Sequence, residues 1–215
     1  CSTETSIPKE EIGVVMDEVG FPECLTPTQI GLIMKDSFNN WDSSLYSQYL
    51  QTFHLPEKKE FGQFSKGMKM KLGIAVALSH HPKLLILDEA TSGLDPVVRD
   101  EILDIFNDFT RDESHAILIS SHIVSDLEKI CDYIAFLHKG KLVLYEEKDR
   151  LLEEYGIIQC TKEQLQELDP SAIIGVKQTS YNTEAVILRD QIPEGFSVQP
   201  VSIEDLFIFM IKEAH

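Results

Sequence analysis

The chain has 215 residues, 43% of them apolar, enough to bury a proper core and to form one domain with a small appendage. A formal net charge of −17 argues against a general nucleic-acid surface, since phosphate contacts need clustered Lys and Arg. The longest apolar runs, LLIL, IAFL and LFIFMI, fall far short of the roughly 20 residues of a membrane span, and Cys1, Cys24, Cys131 and Cys160 are scattered without a CxxC pair, so free thiols are expected.

In chain order, residues 1–10 are polar and read as a loose lead-in, and residues 12–16 (IGVVM) form a short β-branched strand ending at Asp17 and Glu18. Residues 26–55 read as a helical subdomain. Ile30, Ile33, Met34 and Phe38 recur at helical spacing, and Asp42 is a good N-cap for a second helix with Leu45, Tyr49, Leu50 and Phe53 along one side. Trp41, Tyr46 and Tyr49 fit core positions or partner contacts. Ser65 suits the N-cap of the next helix, whose free amides make a natural phosphate site. Met68, Leu72, Ala75 and Ser79 give that helix a packing stripe, and His80 and His81, before Pro82, end it.

Residues 84–87 (LLIL) predict a parallel strand buried on both faces, with Asp88 and Glu89 at its end. Successive strand side chains point to opposite sides, so the two carboxylates can serve different tasks. One can hold hydrated Mg²⁺, a hard cation that takes oxygen ligands, and the other can orient and deprotonate a water. The alternative is a pair of acids that merely ends a strand and caps the following helix. Asp95-Pro96 is a cap followed by proline at the first helical position, with Val98, Ile102, Ile105, Phe106 and Phe109 as the buried face. A second apolar strand, 116–120, delivers His122, and Ser125 with Glu128 has the pattern of a capping box. Strands 133–138 and 141–145 flank a hairpin turn at Lys139-Gly140. Beyond Asp149, IIQC, a helix at 162–168, β-rich runs at 172–179 and 184–188 and an amphipathic helix at 203–212 suggest a small α+β appendage without a catalytic constellation.

The ordered series FSKGM, KLLILDEATSGLD and AILISSH resembles the ATP-binding-cassette (ABC) transporter ATPases from about Ile12 to Tyr145. That resemblance implies an α/β fold: a P-loop NTPase-type parallel sheet core with a helical subdomain (about 26–79) in an ATPase domain over 1–147, then a C-terminal α+β extension over 148–215. It also implies ATP and Mg²⁺ as cofactors. Asp88 becomes the metal-holding acid of the Walker B motif and Glu89 the catalytic base. Ser65, Lys66 and Gly67 become the signature loop that binds ATP across a dimer interface, Asp95 the aspartate of the D-loop, and His122 the switch histidine at the γ-phosphate. Asp17 stands where the family has a glutamine that contacts the metal and reports to the membrane subunit; a solvated acid at a strand end is the alternative. Against the usual LSGGQ, Lys66 replaces a glycine and Met68 the glutamine.

The phosphate-cradling loop GxxxxGK[ST] does not occur: Gly140-Lys141 is followed by Leu142, and Lys66-Gly67 has the order reversed. Cys rather than Met at position 1 fits a lipid-modified mature N-terminus or truncation, and beside these motifs the expectation is an N-terminally truncated cassette that cannot hold ATP in the usual way alone. The strand that carries the loop in the family would lie between strands 116–120 and 133–138, leaving both without their shared neighbour. The expected function is that of an ATP-binding and hydrolysing subunit of an ABC transporter of exporter type. Its partners would be a transmembrane permease and a second ATPase subunit in a head-to-tail dimer, with no nucleic acid, and its place the cytoplasmic face of the membrane. The alternatives are a non-transport ABC ATPase and an inactive fragment that keeps only the signature surface.

Overall fold

The structure is a computed structural model describing residues 8–178, 183–193 and 195–213, so Cys1, most of the polar lead-in and Thr179 lie outside the described residues. The chain divides into two compact units, 1–126 and 127–215. In the first unit the elements run β1 (Ile12–Val15), α1 (Pro27–Ser37), α2 (Ser43–Thr52), α3 (Lys66–Leu78), β2 (Leu84–Asp88), α4 (Pro96–Phe109) and β3 (Ala116–Ser120). The strands form a parallel sheet in the order β1-β2-β3, with Val15 opposite Leu87 and Asp88 opposite Ser120. Parallel neighbours need long crossovers, and the helices supply them.

One face of this sheet is buried and the other is not. A Cβ on Gly13 would stand 2.6 Å from Leu85 Cδ2 and 3.2 Å from the Ala77 carbonyl oxygen, so glycine lets β1 lie directly against α3. Val15, Leu85 and Leu87 are buried on that side. On the opposite side Val14, Met16 and Leu118 are 51%, 50% and 63% exposed, and Leu84 and Ile86 are only half-buried. The expectation of a strand buried on both faces is therefore corrected: α3 covers the Gly13–Val15 side alone. Among the described residues the ladder of β3 runs to β2 only.

The helical subdomain forms as its caps and spacing dictate. Asp42 Oδ1 accepts from the Ser44 and Leu45 amides at 2.8 and 2.9 Å, and Thr26 with Gln29 makes a capping box at α1. Ile30 is buried, but Ile33, expected beside it, is 46% exposed. Gly31 takes the contact instead: a Cβ there would meet the Tyr46 ring at 2.6 Å, so α1 and α2 approach through a glycine that an apolar-periodicity count passes over. Tyr46 is core, donates its hydroxyl to the Pro27 carbonyl at 2.9 Å, and has its phenol pKa pushed up by burial. His80 does more than end α3. Its buried ring stacks on Phe38 at 4.3 Å, its Nδ1 lies 3.0 Å from the Glu10 carbonyl oxygen, and its own carbonyl accepts from Asn40 Nδ2.

Helix α5 (Val124–Ile130) leads into the second unit. It begins ahead of the expected capping box, because Ser121 Oγ accepts from the Ile123 amide at 3.0 Å and starts the turn there. Glu128 serves elsewhere, accepting from the Ile203 amide at 2.8 Å at the start of the last helix. The elements β4 (Tyr133–His138) and β5 (Lys141–Glu147) form the expected hairpin, with Lys139 and Gly140 both at positive φ (47° and 75°), as a tight two-residue turn requires. Then follow α6 (Lys148–Glu154), β6 (Tyr155–Cys160), α7 (Lys162–Gln166), β7 (Ile173–Gln178), β8 (Thr183–Leu188), β9 (Val198–Pro200) and α8 (Ile203–Glu213). Antiparallel ladders order the four strands β7-β8-β6-β9 around Ile158, Cys160, Leu168, Ala185 and Ile187. At Gly175 a Cβ would approach the Phe209 carbonyl oxygen to 3.0 Å, so α8 seats closely on β7.

Candidate functional site

Two groups of side chains converge at the ends of the parallel strands in the first unit. At the end of β2, Ser120 Oγ donates to Asp88 Oδ1 at 2.6 Å, across the register that pairs the two residues. The next residue, Glu89, lies in the left-handed region (φ 51°), a conformation costing about 1–3 kcal/mol that surrounding structure must over-determine. Two hydrogen bonds do so: the Glu89 amide donates to the Ser120 carbonyl at 3.0 Å, and the Ser92 amide donates to the Glu89 carbonyl at 2.9 Å. The reversal turns the Glu89 side chain to His122, whose Nδ1 lies 2.6 Å from Glu89 Oε2. A carboxylate at this distance favours the tautomer in which Nδ1 is the donor, on a side chain that is 67% exposed.

Asp88 is exposed, with one oxygen engaged by Ser120, and suits a hard cation. Among the described residues no group of three or more His, Cys, Asp or Glu forms a cage. One or two carboxylates fit a Mg²⁺ that draws its remaining ligands from phosphates and water.

The second group surrounds the start of α3. Ser65 Oγ accepts from the Met68 amide at 3.3 Å and caps the helix. Lys66 Nζ donates to Asp17 Oδ1 at 2.8 Å. Gly93 is at φ 68°, and a Cβ there would stand 3.3 Å from Lys66 Nζ; one on Gly67 would stand 3.5 Å from Val98 Cγ1. Asp95 Oδ1 accepts from the Val97 and Val98 amides at 3.2 and 3.1 Å, so its capping role is present. The structure thus brings Glu89 to His122, Asp88 to Ser120, and Lys66 to Asp17.

Sequence reasoning missed Ser120 and Gly93. Ser120 was within reach, since parallel pairing of the two apolar strands sets it opposite Asp88. It also missed Asp126, buried on α5 with Oδ1 3.8 Å from Arg99 Nε and no hydrogen-bond partner for Oδ2. A lone aspartate in a helix gives no signal of burial.

The first unit is thus a parallel α/β sheet with acids at the end of β2, a Ser65-capped helix α3 and a histidine beyond the exit of the adjacent strand β3. Residues 2–92 match the family model described as ABC transporter. The lantibiotic transport ATP-binding protein SrtF of Streptococcus pyogenes is 48% identical over 93 residues, covering 43% of this chain and 40% of the relative. The bacitracin transport ATP-binding protein BcrA of Bacillus licheniformis is 38% identical over 134 residues, covering 61% and 44%. A solved ATP-binding subunit of an ABC transporter superposes with a TM-score of 0.59 at 26% identity, covering 66% of this chain and 61% of that one. Over these stretches the chain is similar to ABC transporter ATP-binding proteins. It spans about two fifths of the length of these curated relatives.

Proposed function

We propose that the chain works in the ATP-binding and hydrolysing subunit of an ABC transporter of exporter type, with ATP and Mg²⁺ as cofactors. Its partners are a separate transmembrane permease and a second ATPase subunit in a head-to-tail dimer. Relatives named for lantibiotic and bacitracin transport favour the exporter reading. Among the described residues no helix is long and apolar enough to cross a membrane, so a permease partner at the cytoplasmic face is the membrane route the proposal requires. The carrying observation is the 2.6 Å pair between Glu89 Oε2 and His122 Nδ1 at the end of β2, beside Asp88.

In this reading, Mg²⁺ bound with ATP would offset the charge of the phosphates. Asp88, held by Ser120, would hold the metal. Glu89 would accept a proton from water, and its hydrogen bond to His122 Nδ1 holds the imidazole beside it. Ser65, Lys66 and Gly67 meet the nucleotide of the opposing subunit at the start of α3, beside the Asp95-capped turn. Asp17 stands near that start and not in a closed metal cage. The test is ATP turnover in an assembly to which a GxxxxGK[ST] segment is supplied, fused or as a second polypeptide. There Glu89→Gln is expected to lower turnover by about 10²- to 10⁴-fold while ATP still binds. Near wild-type hydrolysis in that variant would remove Glu89 from the role of base.

A further inference from the structure

The hairpin of β4 and β5 has two unlike faces. Inward, Ile134 and Phe136 are buried, and the Phe136 ring meets that of Phe207 on α8 edge-on, with centroids 5.0 Å apart. Outward, Tyr133, Leu137, Leu142, Val143 and Tyr145 are between 39% and 70% exposed. They form one surface: Leu137 stands opposite Leu142, the Tyr133 and Tyr145 rings stack at 5.8 Å, and Val143 lies in the bulge between the two pairs. Among the described residues no third strand joins this sheet. At roughly 150–250 Å² for each large side chain, these exposures amount to on the order of 500 Å². Single exposed apolar residues are ordinary, but a contiguous patch of this size marks an interaction surface.

We propose that this outer face is the interface of a homodimer, in which the hairpin of a second copy packs on it face to face, strands running the opposite way about a two-fold axis. Charge selects that occupant and that sense. The ribbon carries exposed Lys141 just after the turn and exposed Glu147 at its far end, opposite Tyr133. Antiparallel stacking sets Lys141 of each copy beside Glu147 of the other, at both ends of the contact, whereas stacking in the same sense would set like on like. The chain carries a net −17, so two copies repel over most of their surface and approach best where the middle is uncharged and the ends match. The tyrosines and leucines fill the centre, the composition that interface cores favour. Two such patches bury on the order of 1,000 Å², the lower end for specific interfaces, which fits a reversible dimer with a Kd of about 10 μM. The contact uses no nucleotide and is separate from the ATP-dependent pairing proposed above.

The experiment is sedimentation equilibrium of the full 215-residue chain without nucleotide. Concentrations run from about 1 to 200 μM at about 0.15 M salt, which screens the general repulsion. A monomer–dimer equilibrium is expected. Leu137→Glu should weaken it at least about tenfold, with Leu137→Ser repeating the test more mildly and circular dichroism checking the fold of each. Leu118→Glu, at a leucine equally bare on the parallel sheet of the first unit, should leave it unchanged. Lys141→Glu and Glu147→Lys should each weaken it about three- to tenfold, and the double variant should restore it to within about twofold. The Glu147 side chain makes no capping hydrogen bond at α6, so its replacement spares that helix start. A monomer over the whole range would overturn the proposal, as would a dimer lost with Leu118→Glu and kept with Leu137→Glu. Tightening by either single charge variant, or no restoration in the double, would overturn the antiparallel arrangement and with it the proposed interface.

Discussion

Gly31→Ala tests the packing that joins the two helices of the subdomain. The added methyl carbon would meet Tyr46 Cε1 at 2.6 Å and Cδ1 at 3.0 Å, inside any tolerable contact. Tyr46 cannot swing freely aside, because its ring is 5% exposed, packs 5.1 Å from the Trp41 ring and is tied through its hydroxyl to Pro27. Three terms compete. Alanine gains about 1 kcal/mol over glycine in a helix interior. Overpacking costs about 1–3 kcal/mol, and a strained or broken buried hydrogen bond adds about 1 kcal/mol. The expected balance is a loss of about 1–3 kcal/mol. Trp41 is the chain's single tryptophan, so its fluorescence in a urea titration reports on this subdomain separately from the second unit. Tyr46→Phe, which removes only the hydroxyl, should lose about 1 kcal/mol in the same assay. Equal or greater stability of Gly31→Ala would refute the reasoning, since propensity would then have outweighed the contact.

Two other outcomes are expected. Calorimetry on the 215-residue chain should show no specific Mg·ATP binding tighter than ~1 mM, because no GxxxxGK[ST] loop is present to cradle the phosphates; micromolar affinity would reveal a different nucleotide site. The Leu45 amide first, then the Ser44 amide and His81, hold the Asp42 carboxyl below its ordinary range. With the folded pKa below the unfolded one, the cap's contribution is present above about pH 4 and is lost as pH falls through the folded value. Asp42→Asn should leave stability at neutral pH nearly unchanged and flatten its acid limb. An identical acid limb in wild type and variant would remove Asp42 from the account.

Much of this architecture was legible because its determinants are local. Asp42, Ser65 and Asp95 cap helices with their own side chains, and Lys139-Gly140 makes a turn by backbone preference alone. What escaped depends on contacts between distant segments. Ile33 has the right period but faces solvent, since Gly31 gives α1 its close approach to Tyr46. Ser125 and Glu128 fit a capping box, yet Ser121 begins the turn earlier and Glu128 accepts from Ile203 instead. Strand β2 looks buried on both sides because its apolar pattern records what it can pack against, whereas exposure records what lies over it. At the candidate site the acids and the histidine were visible from motif order. The pairing of Lys66 with Asp17 was not, since nothing in either segment points to the other.

The left-handed backbone of Glu89 bears on how this molecule would respond to selection in the laboratory. An L-residue there crowds its Cβ against the following carbonyl, and glycine would not. The hydrogen bond to His122 that glycine would forfeit is partly solvated, so it offsets little of the backbone gain. A library screened only for thermal tolerance would therefore enrich glycine at 89 among its early winners and yield a sturdier, chemically mute scaffold. Screens on this fold need a counter-selection on turnover in the assembly that supplies the GxxxxGK[ST] segment. Without one, heat resistance would be gained by discarding the very carboxylate on which the proposed chemistry depends.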